Sequence, residues 1–385
     1  MTPAQPVRIL HIITRLDLGG SAENTLLTSL LIDKRRFAVD ICCGESDNPP
    51  SPTETRAVAD GVSIIRMKRL VRRISPVDDL IALWQLWRLI RSRGYDIVHT
   101  HTSKAGIVGR IAARLAGTPR IIHTPHGHVF YGYFSHTLTR VFVLLERAAM
   151  GFTHAMITLT EREKQDYLAR GIGPAQRIHV VHSGVSLEPF LESGVHRARI
   201  RTEWGVADSE FVVGTVARLV DIKNHAMIVS AAAHLRDTVP GARYVFVGDG
   251  ELRTALEHQV QEAGLTARFI FTGWRSDIPA ALSAFDIFVM CSKNEGMGRA
   301  FVEAQAAGAP VIGTDVGGVA EVLRDGHTGF LARPDDAADL ADKIHRLYTL
   351  RDAFPAIGAA ARAWAIEGFG DKAMVARIAE LYEAK

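Results

Sequence analysis

"RYVFVGDGE", Arg243 to Glu251, is a short apolar run that stops at Gly-Asp-Gly and gives way to a charged, helical stretch. A strand apolar on both faces belongs in a parallel sheet covered by helices, because an antiparallel edge would alternate with polar residues. The same unit recurs downstream in "FVVGTVARL" (211–219), "RFIFTGW" (268–274), "DIFVMCS" (286–292), "PVIGTDVGG" (310–318) and "TGFLARP" (328–334). It recurs upstream in "VRILHII" (7–13), "FAVDICC" (37–43), "VSIIRM" (62–67), "DIVHTH" (96–101), "RIIHTPH" (120–126) and "HAMITLT" (154–160). Strands alternating with helices predict an α/β protein built of doubly wound, Rossmann-like sheets. The rhythm pauses once, at "RIHVVHSGVSLEPF" (177–190). The reading is therefore two domains, 1–187 and 188–369, with a C-terminal helix over about 370–385 returning to the first. Facing domains of this kind would bring two sets of strand C-terminal ends to one cleft, where open α/β sheets bind ligands.

The chain has 385 residues, enough for two cores, and its 47% hydrophobic and 23% charged residues are those of an ordinary globular protein. The three cysteines, Cys42, Cys43 and Cys291, sit in apolar strand-like runs and read as buried thiols of a reducing compartment. No Cys/His spacing suggests zinc, the N-terminus reads as a first strand, and no window is apolar enough to span a bilayer. These features point to a cytoplasmic protein. Net charge is +3, unevenly spread: residues 1–187 carry 24 Lys+Arg against 15 Asp+Glu, and the remainder 21 against 27. The first domain thus faces something anionic. No helix-turn-helix, zinc finger or aromatic RNA-binding motif accompanies that charge, so nucleic acid is not expected.

Five strand-end loops carry unusual chemistry. "LGGSAEN" (18–24) places Gly19 and Gly20 before a helix whose N-terminal amides suit an anion, although a structural turn would look the same. "HTPHGHVFYG" (123–132) clusters His123, His126 and His128 without the carboxylate or cysteine company of a metal site; one neutral histidine facing a ligand fits better. "ARLVDIKNH" (217–225) offers Arg218 and Lys223, which could grip a diphosphate or be a surface pair. "NEGMGRAFVEAQAAGAPV" (294–311) sets Glu295 in a loop and Glu303 eight residues on, upon a helix starting near Arg299. Gly296 and Gly298 admit a close approach between them. Carboxylates there accept bonds from sugar hydroxyls, while the amides between them suit phosphate. "TDVGGVAEV" (314–322) is a further glycine step beside it.

The order of "LGG", "HTPHGHVFYG", "ARLVDIKN", "VGDGEL", "FTGW", "NEGMGRAFVEAQAAGAPVIGTDVGG" and "DGHTGFLARPDD" closely resembles glycosyltransferase family 4, the retaining GT-B enzymes, and most of all their bacterial capsule and exopolysaccharide branch. The resemblance implies a UDP- or GDP-sugar donor held mainly by the C-terminal domain. It implies that Glu295 holds the transferred sugar and Glu303 the ribose. Arg218 and Lys223 would grip the diphosphate, helped by amides of Gly296, Met297, Gly298, Arg299, Gly19 and Gly20. His126 would touch the sugar at the reacting face, and the base would pack near Gly273, Trp274 and Arg275. The first loop reads Gly-Gly-Ser-Ala-Glu, one residue longer than the family's usual Gly-Gly-x-Glu, which leaves the role of Glu23 open.

No Asp-x-Asp motif is present, so neither a metal nor another cofactor is expected. The runner-up enzyme is a GT-B sugar-nucleotide 2-epimerase. A catalytically silent sugar-nucleotide-binding partner is disfavoured by the intact charged set, and a dehydrogenase by the lack of GxGxxG. The branch's acceptors are saccharides, polyprenyl-diphosphate-linked ones among them. Residues 66–94, "RMKRLVRRISPVDDLIALWQLWRLIRSRG", with eight basic and two acidic residues and Trp84 and Trp87, read either as a loop plus a sheet-covering helix or as an anionic-membrane contact through Arg69, Arg72 and Arg73.

Overall fold

The computed structural model describes residues 5–17, 19–46, 50–71, 73, 75–127 and 136–384. The chain divides into two units, Met1–Gly184 with Asp371–Lys385, and Val185–Gly370.

The first unit holds a seven-stranded parallel sheet: β1 (Val7–Ile13), β2 (Phe37–Cys43), β3 (Ser63–Arg66), β4 (Ile97–His101), β5 (Arg120–Thr124), β6 (Ala155–Thr158) and β7 (Ile178–Val180). Its order is β3-β2-β1-β4-β5-β6-β7. The second holds β8 (Phe211–Val216), β9 (Ala242–Val247), β10 (Phe269–Gly273), β11 (Ile287–Met290), β12 (Val311–Thr314) and β13 (Gly329–Ala332), also parallel, in the order β10-β9-β8-β11-β12-β13. Each sheet reverses its winding once, between β1 and β4 and between β8 and β11. Loops leaving the C-terminal ends of those strand pairs diverge, and the crevice left between them is where such sheets bind ligands.

The central strands of each sheet are buried on both faces because helices cover both. In the second unit Val213, Phe246, Val289 and Ile312 share one core with Ile228, Leu256 and Ile344 from the helices. In the first, Leu10, Ile12 and Val98 pack with Ala82, Leu86 and Ile90 of the helix Pro76–Arg93. Each of the Leu, Ile, Val and Phe side chains among them contributes about 1.5–3 kcal/mol on burial. The helix Asp371–Glu383 returns to the first unit. Met374, Val375, Ile378 and Tyr382 lie on one face and pack with Ile9, Ile97 and Ile122. The junction falls at Gly184, not 187, because Val185 already bridges Gly370 and donates its amide to the Phe369 carbonyl at 2.9 Å. A side chain at Gly184 would meet the Asp371 Cα at 2.6 Å, so the crossing chains need glycine there.

The helix Pro76–Arg93 covers the sheet with one face and leaves another in water: Leu80 is 67% and Trp84 53% exposed. The basic loop before it is not a free cationic cluster. Asp78 accepts from Arg69 at 2.8 Å and from Arg73 at 3.4 Å, and from the Ser75 hydroxyl at 2.7 Å. Arg72 lies outside the described residues. No described helix is long and apolar enough to cross a membrane.

Candidate active site

In the second unit the loops after β8 and β11 are joined. The chain leaves β8 through exposed Arg218, makes a tight turn at Asp221–Lys223 and passes Asn224 in the left-handed region, at φ 49°. Lys223 Nζ then sits 2.5 Å from Glu295 Oε2. The Ser292 hydroxyl donates to the same oxygen at 3.0 Å, and the Thr314 hydroxyl holds the Ser292 carbonyl at 2.6 Å. The backbone couples the two loops as well, since the Lys293 amide donates to the Ile222 carbonyl at 2.9 Å. The two side chains expected to serve separate parts of a ligand are thus one ion pair, about a fifth exposed on either side. Arg218 makes no side-chain bond among the described residues and reaches into solvent.

A third loop fixes the second. The Gly318 amide donates to the carbonyls of Glu295 at 3.2 Å and Gly296 at 2.9 Å. Gly317, at φ 51°, lies so close that a Cβ there would stand 1.7 Å from the Glu295 carbonyl oxygen. This is the physical content of the glycine pair in "TDVGG". Beyond Glu295, Met297 is buried, Gly298 turns with φ 77°, and the helix Arg299–Ala306 begins. Its first amides have no carbonyl within the helix to bond, so they present a partial positive charge. Glu303 lies half-buried on its second turn. At the end of β10, Gly273 takes φ 71° and Trp274 is 67% exposed. Arg275 is committed elsewhere. It bonds Asp277 at 2.8 Å and Glu203 at 2.5 Å, lies over the Trp204 ring, and those carboxylates raise its already high pKa.

In the first unit, Gly19 and Gly20 are exposed at the start of the helix Gly20–Leu31. Glu23, in its first turn, accepts from the Thr53 hydroxyl at 2.8 Å. Two residues at strand ends are strained. Thr102, after β4, adopts φ 62° and ψ 167°, a region left almost wholly to glycine; His126, after β5, adopts φ 59°. Such strain costs on the order of 1–3 kcal/mol and collects at functional sites. The turn at His126 is braced by Glu163, which accepts from the Gly127 amide at 3.0 Å and the Leu159 amide at 2.7 Å. Of the three histidines in this motif, His123 is fully buried and bonded to Thr100, His126 is half-buried at the strand end, and His128 lies outside the described residues.

Behind His126 lies a row of histidines not singled out from the sequence. His101 Nδ1 is 2.8 Å from His126 Nε2, and His101 Nε2 is 2.7 Å from His11 Nδ1. Burial holds the pKa of His11 down at about 3 and those of His99 and His101 well below the usual value, so all three are neutral imidazoles. His11, His99 and His101 also form the sort of group that could hold a metal ion, with ligand atoms within 4.8 Å of one another.

The comparisons with known proteins bear on the family and the fold. Residues 19–184 match the Glycosyl transferase 4-like domain and residues 196–364 match Glycosyl transferases group 1. The chain is 33% identical over 345 residues to the UDP-Gal:alpha-D-GlcNAc-diphosphoundecaprenol alpha-1,3-galactosyltransferase of Escherichia coli, covering 89% of this chain and 88% of that one. The chain belongs to glycosyltransferase family 4. The transferase is also 31% identical to the 2-deoxystreptamine glucosyltransferase of Streptomyces kanamyceticus, over 80% of this chain and 85% of that one. Its fold is GT-B. The transferase superposes on Anabaena Alr3699/HepE, solved in complex with UDP and glucose, with a TM-score of 0.83 at 24% identity, over 98% of this chain and 100% of that one.

Proposed function

We propose that this glycosyltransferase moves a hexose from a UDP- or GDP-sugar to a lipid-linked saccharide with retention of anomeric configuration, in the synthesis of a surface polysaccharide such as a capsule or exopolysaccharide. The observation that carries the reading is the joining of Lys223 and Glu295 at 2.5 Å, from loops that leave the two strands flanking the switch point of the donor-side sheet. An ammonium has three donors. One is occupied by Glu295 and a second points at the Met290 sulfur at 4.0 Å, a weak acceptor that a donor's phosphate oxygens would displace, and exposed Arg218 adds a planar fork. Amides of Gly296, Met297, Gly298 and Arg299 supply neutral donors to the same group. Glu295, held by Ser292 and Lys223, keeps its second oxygen for a sugar hydroxyl, and Glu303 takes the ribose. To Gly19 and Gly20 we assign a role in phosphate binding, and to His126 a role in sugar binding. With Arg275 bound to carboxylates, the base rests on Gly273 and the exposed Trp274 indole.

In the reaction the acceptor hydroxyl oxygen bonds to the anomeric carbon on the face from which the diphosphate leaves. The carbon–oxygen bond to the phosphate breaks with its electron pair going to the phosphate, and the departing phosphate takes the acceptor's proton. Arg218, Lys223 and the helix amides stabilise the charge that develops there, the part of catalysis that preorganised donors serve best. We assign the work of a metal clamp to these cationic side chains and amides, so activity is expected to persist in excess EDTA. Loss reversed by magnesium or manganese would count against that part. The Escherichia coli relative, whose name gives a diphosphoundecaprenol-linked acceptor, supports the lipid-linked acceptor. So does the face of Pro76–Arg93 bearing Leu80 and Trp84. Together with Leu83, Trp87 and Leu115 it lines a groove of about 400 Å³, with Arg88 stacked on Trp84. We assign that face to peripheral contact with an anionic membrane. A thermal-shift panel of nucleotide sugars tests the donor, since a ligand at 100 times its Kd stabilises by about 2.7 kcal/mol. Conversion of the donor without acceptor would point instead to a 2-epimerase.

A further inference from the structure

His11 lies in β1 directly beside His99 in β4, and His101 follows two residues on, so their side chains share one face of the sheet. Tyr382, from the helix Asp371–Glu383, lies over that face and is buried. Its hydroxyl is 2.7 Å from His99 Nδ1 and 3.2 Å from His11 Nε2. His99 Nε2 is 2.8 Å from the Thr124 hydroxyl. The groups form one unbranched chain: Thr124, His99, Tyr382, His11, His101, His126.

Proton counting constrains this chain. A neutral imidazole has one N–H and one acceptor nitrogen, and a phenol has one O–H. The three imidazoles each make two of these bonds, so each donates once and accepts once, and Tyr382 does the same because a phenol accepting both would leave its buried O–H without an acceptor. Every bond in the chain then points the same way. In one direction Thr124 donates to His99 and His126 Nε2 accepts, which puts the His126 proton on Nδ1. In the other, His126 Nε2 donates inward and its Nδ1 is a bare acceptor. The orientation of a phenol in the C-terminal helix is thereby tied to whether His126 Nδ1 donates or accepts.

We infer that this chain is a tautomer relay that sets the hydrogen-bonding sense of His126, and that Tyr382, His11, His99 and His101 are positioning residues for it. Charge would not serve: the rings are buried, and placing a proton there without a counter-ion is costly. The two directions instead carry no net charge: each of the six groups holds one proton in either, so they differ in tautomer and hydroxyl rotation and not in protonation. The direction favoured by the whole chain is more strongly set than a single bond would set it, since bonds in such networks polarise one another. The consequence for transfer rests on the placement of His126 at the sugar proposed above; the relay itself does not.

The test uses the full chain with ¹⁵N-labelled histidine. Nitrogen chemical shifts report which atom of His126 carries the proton. Wild type is expected to show one tautomer in about fivefold or greater excess, the worth of roughly one net hydrogen bond. Tyr382→Phe keeps the ring in its packing and removes the link. His126 should become a mixture of tautomers, with kcat falling about fivefold and the donor KM unchanged. Thr124→Val, nearly isosteric, cuts the far end and should also shift the ratio, which covers the case of a poorly folded Tyr382 variant. An unchanged His126 tautomer in both variants overturns the relay. So does stoichiometric zinc in the purified protein by elemental analysis, because ligation by His11, His99 and His101 would replace their mutual bonds. A tautomer mixture with unchanged transfer rate upholds the relay and removes His126 from the sugar.

Discussion

Gly317→Ala should cripple transfer although residue 317 is assigned no contact with substrate. An added Cβ would stand 1.7 Å from the Glu295 carbonyl oxygen, and real Cβ atoms essentially never come within 3.0 Å of a neighbour. Relief therefore needs a displacement of 1.3 Å, and the offending atom is backbone, so no side-chain rotation supplies it. Glu295 moves, or the 314–322 loop moves and takes with it the Gly318 amide that holds the carbonyls of Glu295 and Gly296. A misplacement of about 1 Å can cost on the order of 10²-fold in rate, and that is the expected loss. There is also a conformational cost of roughly 1–2 kcal/mol for alanine at φ 51°. Gly326→Ala separates the two effects. Its φ is 77°, but nothing lies within 4 Å of the added methyl. It should lose similar stability while keeping its rate. The assay is initial-rate sugar transfer at saturating donor, with Tm measured on both variants. If Gly317→Ala is folded and turns over within threefold of Gly326→Ala, the bracing of Glu295 by this loop has no catalytic meaning.

Glu295→Ala and Lys223→Ala should each lower kcat by about 10²–10³-fold while circular dichroism shows an intact fold; near-wild-type turnover by either folded variant would remove the ion pair from the site. Acid should destabilise the protein in a window set by buried histidines. His11, His99, His101, His123 and His225 all have pKa values lowered by burial, to about 3 for His11 and about 4 for His225. The unfolded chain protonates near pH 6.5 while the folded one does not, so stability is full above that pH and falls as pH drops toward 4 and 3. The slope is about 1.4 kcal/mol per pH unit for each histidine still neutral when folded; urea midpoints that stay flat between pH 7 and 5 would contradict it. Liposome flotation should show binding to anionic vesicles at low salt that Leu80→Ser with Trp84→Ser abolishes. A wild type that ignores such vesicles leaves that face a plain surface.

Fold and site were legible to different depths. Parallel strands show themselves because burial on both faces makes them continuous apolar runs, and the glycine loops after them because few other residues tolerate positive φ. The Glu295 loop was visible for that reason. Its pairing with Lys223 was not, since 72 residues separate the two and only the adjacency of β8 and β11 joins them. Ser292, the third member, looks like any serine after a strand. Arg275 looked available beside an exposed tryptophan, and only the packing reveals Glu203 and Asp277 on it. The histidine chain left one trace: His99 and His101 alternate in an otherwise buried strand, which puts two imidazoles on one face. Their partners come from residues 11 and 382, and no local pattern announces those. In the basic run at 66–73 the sequence shows the arginines but not their partner, Asp78, which pairs with Arg69 and Arg73.

The return of Asp371–Glu383 to the first unit has a consequence for how the protein is made. Everything else in that unit is synthesised before Val185 is added, and the closing helix comes only after the whole of Val185–Gly370. At about 5–20 residues per second that is an interval of roughly 10–40 s. During it the face carrying Ile9, Ile97 and Ile122 lacks Met374, Val375, Ile378 and Tyr382. Nascent chains should therefore keep that face open to protease, and His11 and His99 within reach of solvent protons, until Tyr382 arrives.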